Sequence, residues 1–87
     1  MSERFDELRE RIAENDRAIV ASVNLRLRLV AELWGIKEEQ GAALLDSDRE
    51  QRLRAALAAT SEGPLSAEGL DRLVDELLAL TKRELGQ

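Results

Sequence analysis

The sequence predicts an all-α protein: three helices, long, short and medium, in a helical bundle that pairs with a second copy. Three observations carry this expectation. A helical apolar pattern runs almost unbroken from about Glu3 to about Gln40. Two breaks, at Gly41 and at Ser61-Glu62-Gly63-Pro64, divide the 87 residues into unequal segments. β-branched residues are few and no alternating run of useful length occurs, so no strand is expected.

In the first helix, Phe5, Leu8, Ile12, Ile19, Val23, Val30 and Leu33 return to one side, the stripe of an amphipathic helix. At a rise of ~1.5 Å per residue the helix would be roughly 50 Å long. Two shorter helices of the same chain cannot cover that length, so the seam calls for a second copy. Asn15, Ser22 and Arg26 fall on or near the stripe, where Leu or Ile would be the ordinary choice. Polar residues in a seam cost stability unless they fix register or line a site. Trp34 reads as packing. Gly41, following Glu38-Glu39-Gln40, suits a left-handed residue that closes the last turn.

Ala42 to Asp46 is then a connection. The second helix is expected over about Ser47–Thr60, with Leu53 and Leu57 as its apolar line, and Ser47-x-x-Glu50 reads as a capping box. Ser66 caps the third helix, which runs to about Leu85 with Leu70, Leu73, Val74, Leu77, Leu78 and Leu80 facing inward. Glu7 with Arg11, Asp48 with Arg52 and Glu50 with Arg54 are spaced as surface ion pairs. Residues 1–87 read as one domain. A core of this size stabilises a lone chain only weakly, and oligomerisation supplies what is missing.

Composition narrows the chemistry. There are no cysteines and no histidines, which removes disulfides, thiolate ligands, His-based zinc sites and Ser-His or Cys-His nucleophiles. A formal charge of −5, with no basic run and 2% aromatic residues, argues against nucleic acid as a partner. The polar start Ser2-Glu3-Arg4-Phe5-Asp6 is unlike a signal peptide, and no apolar stretch approaches membrane-spanning length. A soluble, cytoplasmic protein with no membrane partner is expected.

Basic residues punctuate the seam. Arg26 and Lys37 are eleven residues apart, which is three turns, only ~20° of rotation and roughly 16 Å along the axis. Their long side chains can lean together and hold a small anion. Arg9 lies seventeen residues before Arg26, roughly 25 Å away and about a quarter-turn off the face. Within one straight helix it cannot reach the same ligand; an antiparallel partner chain would supply it. Asp46, Arg49 and Glu50 stand at i, i+3 and i+4 and share a face, a mixed cluster suited to an anionic group and a hydroxyl. Thr81 interrupts the leucine stripe with a hydroxyl, whose plainer use is a bond back to a carbonyl one turn earlier.

Taken together, Leu8-Arg9-Glu10-Arg11-Ile12, Asp16, Arg26, Lys37 and Asp46-Ser47-Asp48-Arg49-Glu50 resemble the all-helical chorismate mutase family, the type II domain. In that family the first helix opens on a Leu-Arg-x-x-Ile-Asp-like element, carries an Arg near its middle and ends with a Lys. An Asp-x-x-Arg-Glu motif opens the second helix. The order and spacings match from Leu8 to Glu50 without insertion, and no single element is as specific as their joint spacing.

The resemblance implies an intertwined homodimer with two active sites, each completed by the first helix of the other chain. It implies rearrangement of chorismate to prephenate, the branch-point step toward phenylalanine and tyrosine, with no cofactor and no metal. By position, Arg26 and the partner's Arg9 would grip the substrate carboxylates, and Lys37 would donate to the ether oxygen and a carboxylate. Arg49 would support the carboxylate region, Asp46 and Glu50 would meet the ring hydroxyl, and Thr81 stands where the family has a small hydroxyl residue. One position departs from the pattern. Four residues after that hydroxyl the family commonly has Gln, sometimes Glu, as a second donor to the ether oxygen. Here the position is Leu85, and Glu84 is one residue earlier, turned by ~100°. Glu84 would serve only if the helix turned it inward and the carboxyl were protonated. The alternatives are an isochorismate-pyruvate lyase or an amino-chorismate mutase on the same fold, or a non-catalytic helical dimerisation module whose polar seam residues merely set register.

Overall fold

Three helices form along the chain: α1 (Glu3–Glu39), α2 (Ser47–Thr60) and α3 (Ala67–Leu85). The computed structural model describes residues 2–43 and 46–86.

Local chemistry fixes each boundary. The Ser2 hydroxyl accepts from the Phe5 amide at 3.1 Å, and Glu3 and Asp6 place acid in the first turn, where the positive end of the helix dipole favours it. At the other end, the Gly41 amide donates to the Glu38 carbonyl at 3.1 Å and the Ala42 amide to the Lys37 carbonyl at 2.8 Å. This pair of bonds is the Schellman closure. It needs the left-handed φ of +71° at Gly41, which glycine adopts without a Cβ penalty. Lys37 is therefore locked into the final turn of α1. Of the expected connection from Ala42 to Asp46, Leu44 and Leu45 lie outside the described residues.

The start of α2 differs from the expected capping box. Asp46, not Ser47, is the N-cap: its backbone is extended and its carboxylate accepts from the Asp48 amide at 3.1 Å and the Arg49 amide at 3.2 Å. An aspartate caps as well as a serine and adds a charge at the helix's positive end. Ser47 becomes the first helical residue, and Glu50 is moved one place beyond the capping-box position. On α3, Ser66 caps as expected, accepting from the Gly69 amide at 3.0 Å. Gly86, with φ +78°, closes the helix by donating its N–H to the Lys82 carbonyl.

α3 packs against both α1 and α2. Leu70, Val74 and Thr81 are buried, Val74 completely, while Leu77, Leu78 and Leu80 are half-buried. Leu73, expected to face inward, is 47% exposed. It lines a groove with Leu77, Ile19 and Val23 that a single chain leaves open. Arg54 pins α2 to α3: its guanidinium donates to the Asp71 carbonyl at 3.2 Å and pairs with the Asp75 carboxylate. The hydrogen bond to Asp75 leads the causes that raise the Arg54 pKa, and Glu50 contributes only a through-space attraction. Arg54 thus reaches across to α3 instead of forming the expected pair with Glu50. Glu7 pairs with Arg4 at 3.2 Å in place of the expected Arg11.

The single chain has more surface than a folded monomer needs. Its extents are 58 × 24 × 18 Å and its radius of gyration is 16.6 Å, against ~12 Å for a compact domain of this length. Its accessible surface is 7000 Å², against roughly 5,100 Å² from monomer scaling. The excess lies on α1, which has no buried residue; Ile12 is 60% and Ile19 53% exposed. The stripe read in the sequence exists, and no element of the same chain covers its N-terminal half.

Candidate active site

The C-terminal half of α1, the start of α2 and the last turns of α3 enclose a cleft of about 270 Å³, near the lower end of the ~300–1,000 Å³ usual for small-molecule sites. From α1 come Arg26, Val30, Leu33 and Lys37, spaced by three and four residues and so on one face. Asp46, Arg49 and Glu50 enter from the start of α2, and Leu78, Thr81 and Lys82 from α3. Val30, Leu33, Leu53 and Leu78 add apolar lining beside the charged groups.

Arg26 is the best-defined member. Its Nη1 donates to the Thr81 Oγ1 at 2.6 Å, and that hydroxyl donates to the Leu77 carbonyl at 2.6 Å. Thr81 therefore both lines the cleft and is a back-bonded hydroxyl. The rest of the guanidinium fork remains able to take a carboxylate. Among the described residues, no buried side-chain nitrogen or oxygen lacks a hydrogen bond.

The opposite wall is built by the α2 cap. One oxygen of Asp46 is committed to two backbone amides, which fixes the carboxylate and leaves its second oxygen able to accept. Glu50, released from the capping box, is half-buried and lines the cleft. Arg26, Lys37, Arg49 and Lys82 outnumber the carboxylates of Asp46 and Glu50. An acidic protein of net charge −5 thus carries a locally positive concavity, where low-dielectric walls strengthen the pull on an anion.

Six of the residues singled out from the sequence meet here: Arg26, Lys37, Asp46, Arg49, Glu50 and Thr81. Arg9 does not. It is exposed near the far end of α1, its guanidinium 5.3 Å from the Phe5 ring centroid, as the axial distance argument requires. Glu84 is exposed and lies outside the lining, so α3 is not turned to bring it inward; Leu85 holds the half-buried position instead. Two lining residues are not evident as such from the sequence. Trp34, which reads there as packing, forms part of the wall, and Lys82 is a fourth cation. Lys82 carries a signal, because it stands four residues after Leu78 and beside Thr81, but a lysine in a last helical turn is ordinary dipole complement.

The fold and the cleft define a small all-α protein with a cation-rich concavity that two carboxylates also line. The chorismate mutase type II family matches the chain over residues 8–84, and the chain belongs to that family. Among solved structures, form I of the chorismate mutase from Thermus thermophilus is 30% identical with a TM-score of 0.86, over 91% of this chain and 99% of that one. Form II of the same enzyme is 28% identical with a TM-score of 0.90, over 98% of this chain and 97% of that one. A search of curated proteins finds no significant match. Among the described residues, no helix is long and apolar enough to cross a membrane.

Proposed function

We propose that this protein is a chorismate mutase, an isomerase that converts chorismate to prephenate. Family membership and the likeness to the Thermus enzyme support the reaction class. The observation that carries the reading to this chain is the convergence of Arg26, Lys37, Arg49, Asp46, Glu50 and Thr81 on one cleft.

The reaction is a unimolecular rearrangement in which one C–O bond breaks as one C–C bond forms, so the protein need supply neither nucleophile nor redox partner. Its tasks are conformational and electrostatic. Arg26 and Arg49 take the two carboxylates, which folds the enolpyruvyl arm over the ring in a near-attack arrangement. Arginine suits this because its planar fork matches a carboxylate bidentately. Lys37 donates to the ether oxygen, where negative charge grows as the bond breaks; a preorganised cation in a partly closed site stabilises that charge. Asp46 and Glu50 accept from the ring hydroxyl. Thr81 holds the Arg26 guanidinium and acts through it. No role falls to Glu84.

A homodimer completes the site. The excess surface of roughly 1,900 Å² per chain over monomer scaling is what a second copy would cover, and twice that falls within the ~2,000–5,000 Å² of obligate interfaces. The groove of Ile19, Val23, Leu73 and Leu77 adjoins Arg26, so a partner helix laid along it brings the partner subunit's Arg9 toward the substrate. Residues 1–87 act as one domain, and the enzyme works in the cytoplasm on a soluble dicarboxylate. Incubation with chorismate and, separately, with isochorismate tests the reading: prephenate from the first is expected, and release of pyruvate from the second alone would replace the mutase by a lyase.

A further inference from the structure

We infer that Lys82 is a further substrate-contacting residue, whose ammonium supplies the second donor to the ether oxygen that Leu85 cannot provide. The inference rests on the reading of the cleft as a chorismate site and deepens it.

Three observations converge on Lys82. First, the Thr81 hydroxyl has no proton to give a ligand, because it spends its own on the Leu77 carbonyl and accepts from Arg26. Second, the other polar candidate near the end of α3, Glu84, is exposed and outside the cleft, and Leu85 has no donor. Third, Lys82 lines the cleft beside Leu78 and Thr81 and is half-buried. Among the α3 residues in the lining it is the one with hydrogens to offer, three on a flexible stem. Its backbone is held as well, since the Lys82 carbonyl accepts from the Gly86 amide in the closing turn. The ammonium therefore works from a fixed last turn of α3, on the same cleft that Lys37 lines from α1. Two cations reaching the cleft from α1 and α3 would share the charge that develops on one oxygen, which acts in the transition state more than in the bound ground state.

The test uses the full chain and the kinetics of chorismate loss. Lys82→Met keeps the aliphatic stem and removes the donor; kcat is expected to fall at least tenfold with little change in KM and with unchanged helicity by circular dichroism. Arg83→Met, which removes the neighbouring exposed charge, controls for long-range electrostatics and is expected to leave kcat unchanged. Lys82→Arg should retain most of the activity. The double variant Lys82→Met with Leu85→Gln should regain activity over Lys82→Met, because it restores a donor one turn away on the same helix; a purely structural role for Lys82 predicts no such recovery. An active parent whose Lys82→Met variant matches it, or loses no more than Arg83→Met, overturns the role of Lys82 while leaving the mutase reading intact. A loss confined to KM overturns the assignment to the ether oxygen. A parent protein that leaves chorismate unchanged defeats both.

Discussion

Nη1 of Arg26 donates to Oγ1 of Thr81 at 2.6 Å, across fifty-five residues of sequence. The contact ties the middle of α1 to the last turns of α3, and the onward bond from Thr81 to the Leu77 carbonyl orients the hydroxyl so that a lone pair faces the guanidinium. Replacing Thr81 by Val keeps the shape and removes the acceptor. Hydrogen bonds to charged groups contribute ~1.5–3 kcal/mol, so kcat/KM for chorismate should fall by roughly ten- to a hundredfold, with Thr81→Ser close to the parent. Steady-state kinetics on both variants check this.

The Asp46 carboxylate caps α2 and also lines the cleft, so its capping and its proposed substrate contact are separable. Asp46→Asn retains a capping oxygen, so thermal stability should hold while turnover falls with the lost charge. Asp46→Ala loses the cap as well. A lost N-cap costs about 1 kcal/mol, which for a domain of this size lowers Tm by ~4–8 °C. Thermal melts alongside activity measurements distinguish the two effects.

The Schellman closure at Gly41 holds Lys37 in place through its own carbonyl. A Cβ at a left-handed position costs ~1–2 kcal/mol, although nothing within 4 Å of Gly41 would collide with it. Gly41→Ala should therefore reduce kcat by loosening the last turn of α1, with Lys37 itself unaltered. Retention of full kcat together with a lowered Tm would separate the turn from catalysis.

The proposed sharing of sites between chains gives a mixing test. Arg9→Ala and Arg26→Ala should each be strongly impaired, and unfolding and refolding them together should regenerate one intact site in each heterodimer. Recovery of activity in the mixture is the expected result; its absence at equal subunit ratios argues for sites contained in one chain.

Much of this molecule is legible in its sequence because the signals are local. Gly41, Ser66 and the proline-containing break set helix limits by backbone chemistry that needs no tertiary context. Helical periodicity suffices to put Arg26 and Lys37 on one face and Arg9 beyond reach. The exchange of Ser47 for Asp46 as the cap is not legible, since both residues cap well and only the backbone path after the connection selects between them. Nor is the exposure of Leu73, because helical periodicity marks an apolar face without saying which of its positions the chain's own helices cover. Lys82 escapes for a third reason: a cation in a last turn has a sufficient local explanation, and its place in the cleft follows from the packing of α3 against α1 and α2.

The most direct test of the account is the rate at which purified protein converts chorismate to prephenate, measured with Lys37→Ala alongside. Removing one preorganised donor to a developing oxyanion costs ~10²–10³ in kcat. The parent is expected to form prephenate and the variant to lose activity by that order, with helix content unchanged. Chorismate left intact by the parent, or near-normal turnover without the Lys37 ammonium, would contradict it.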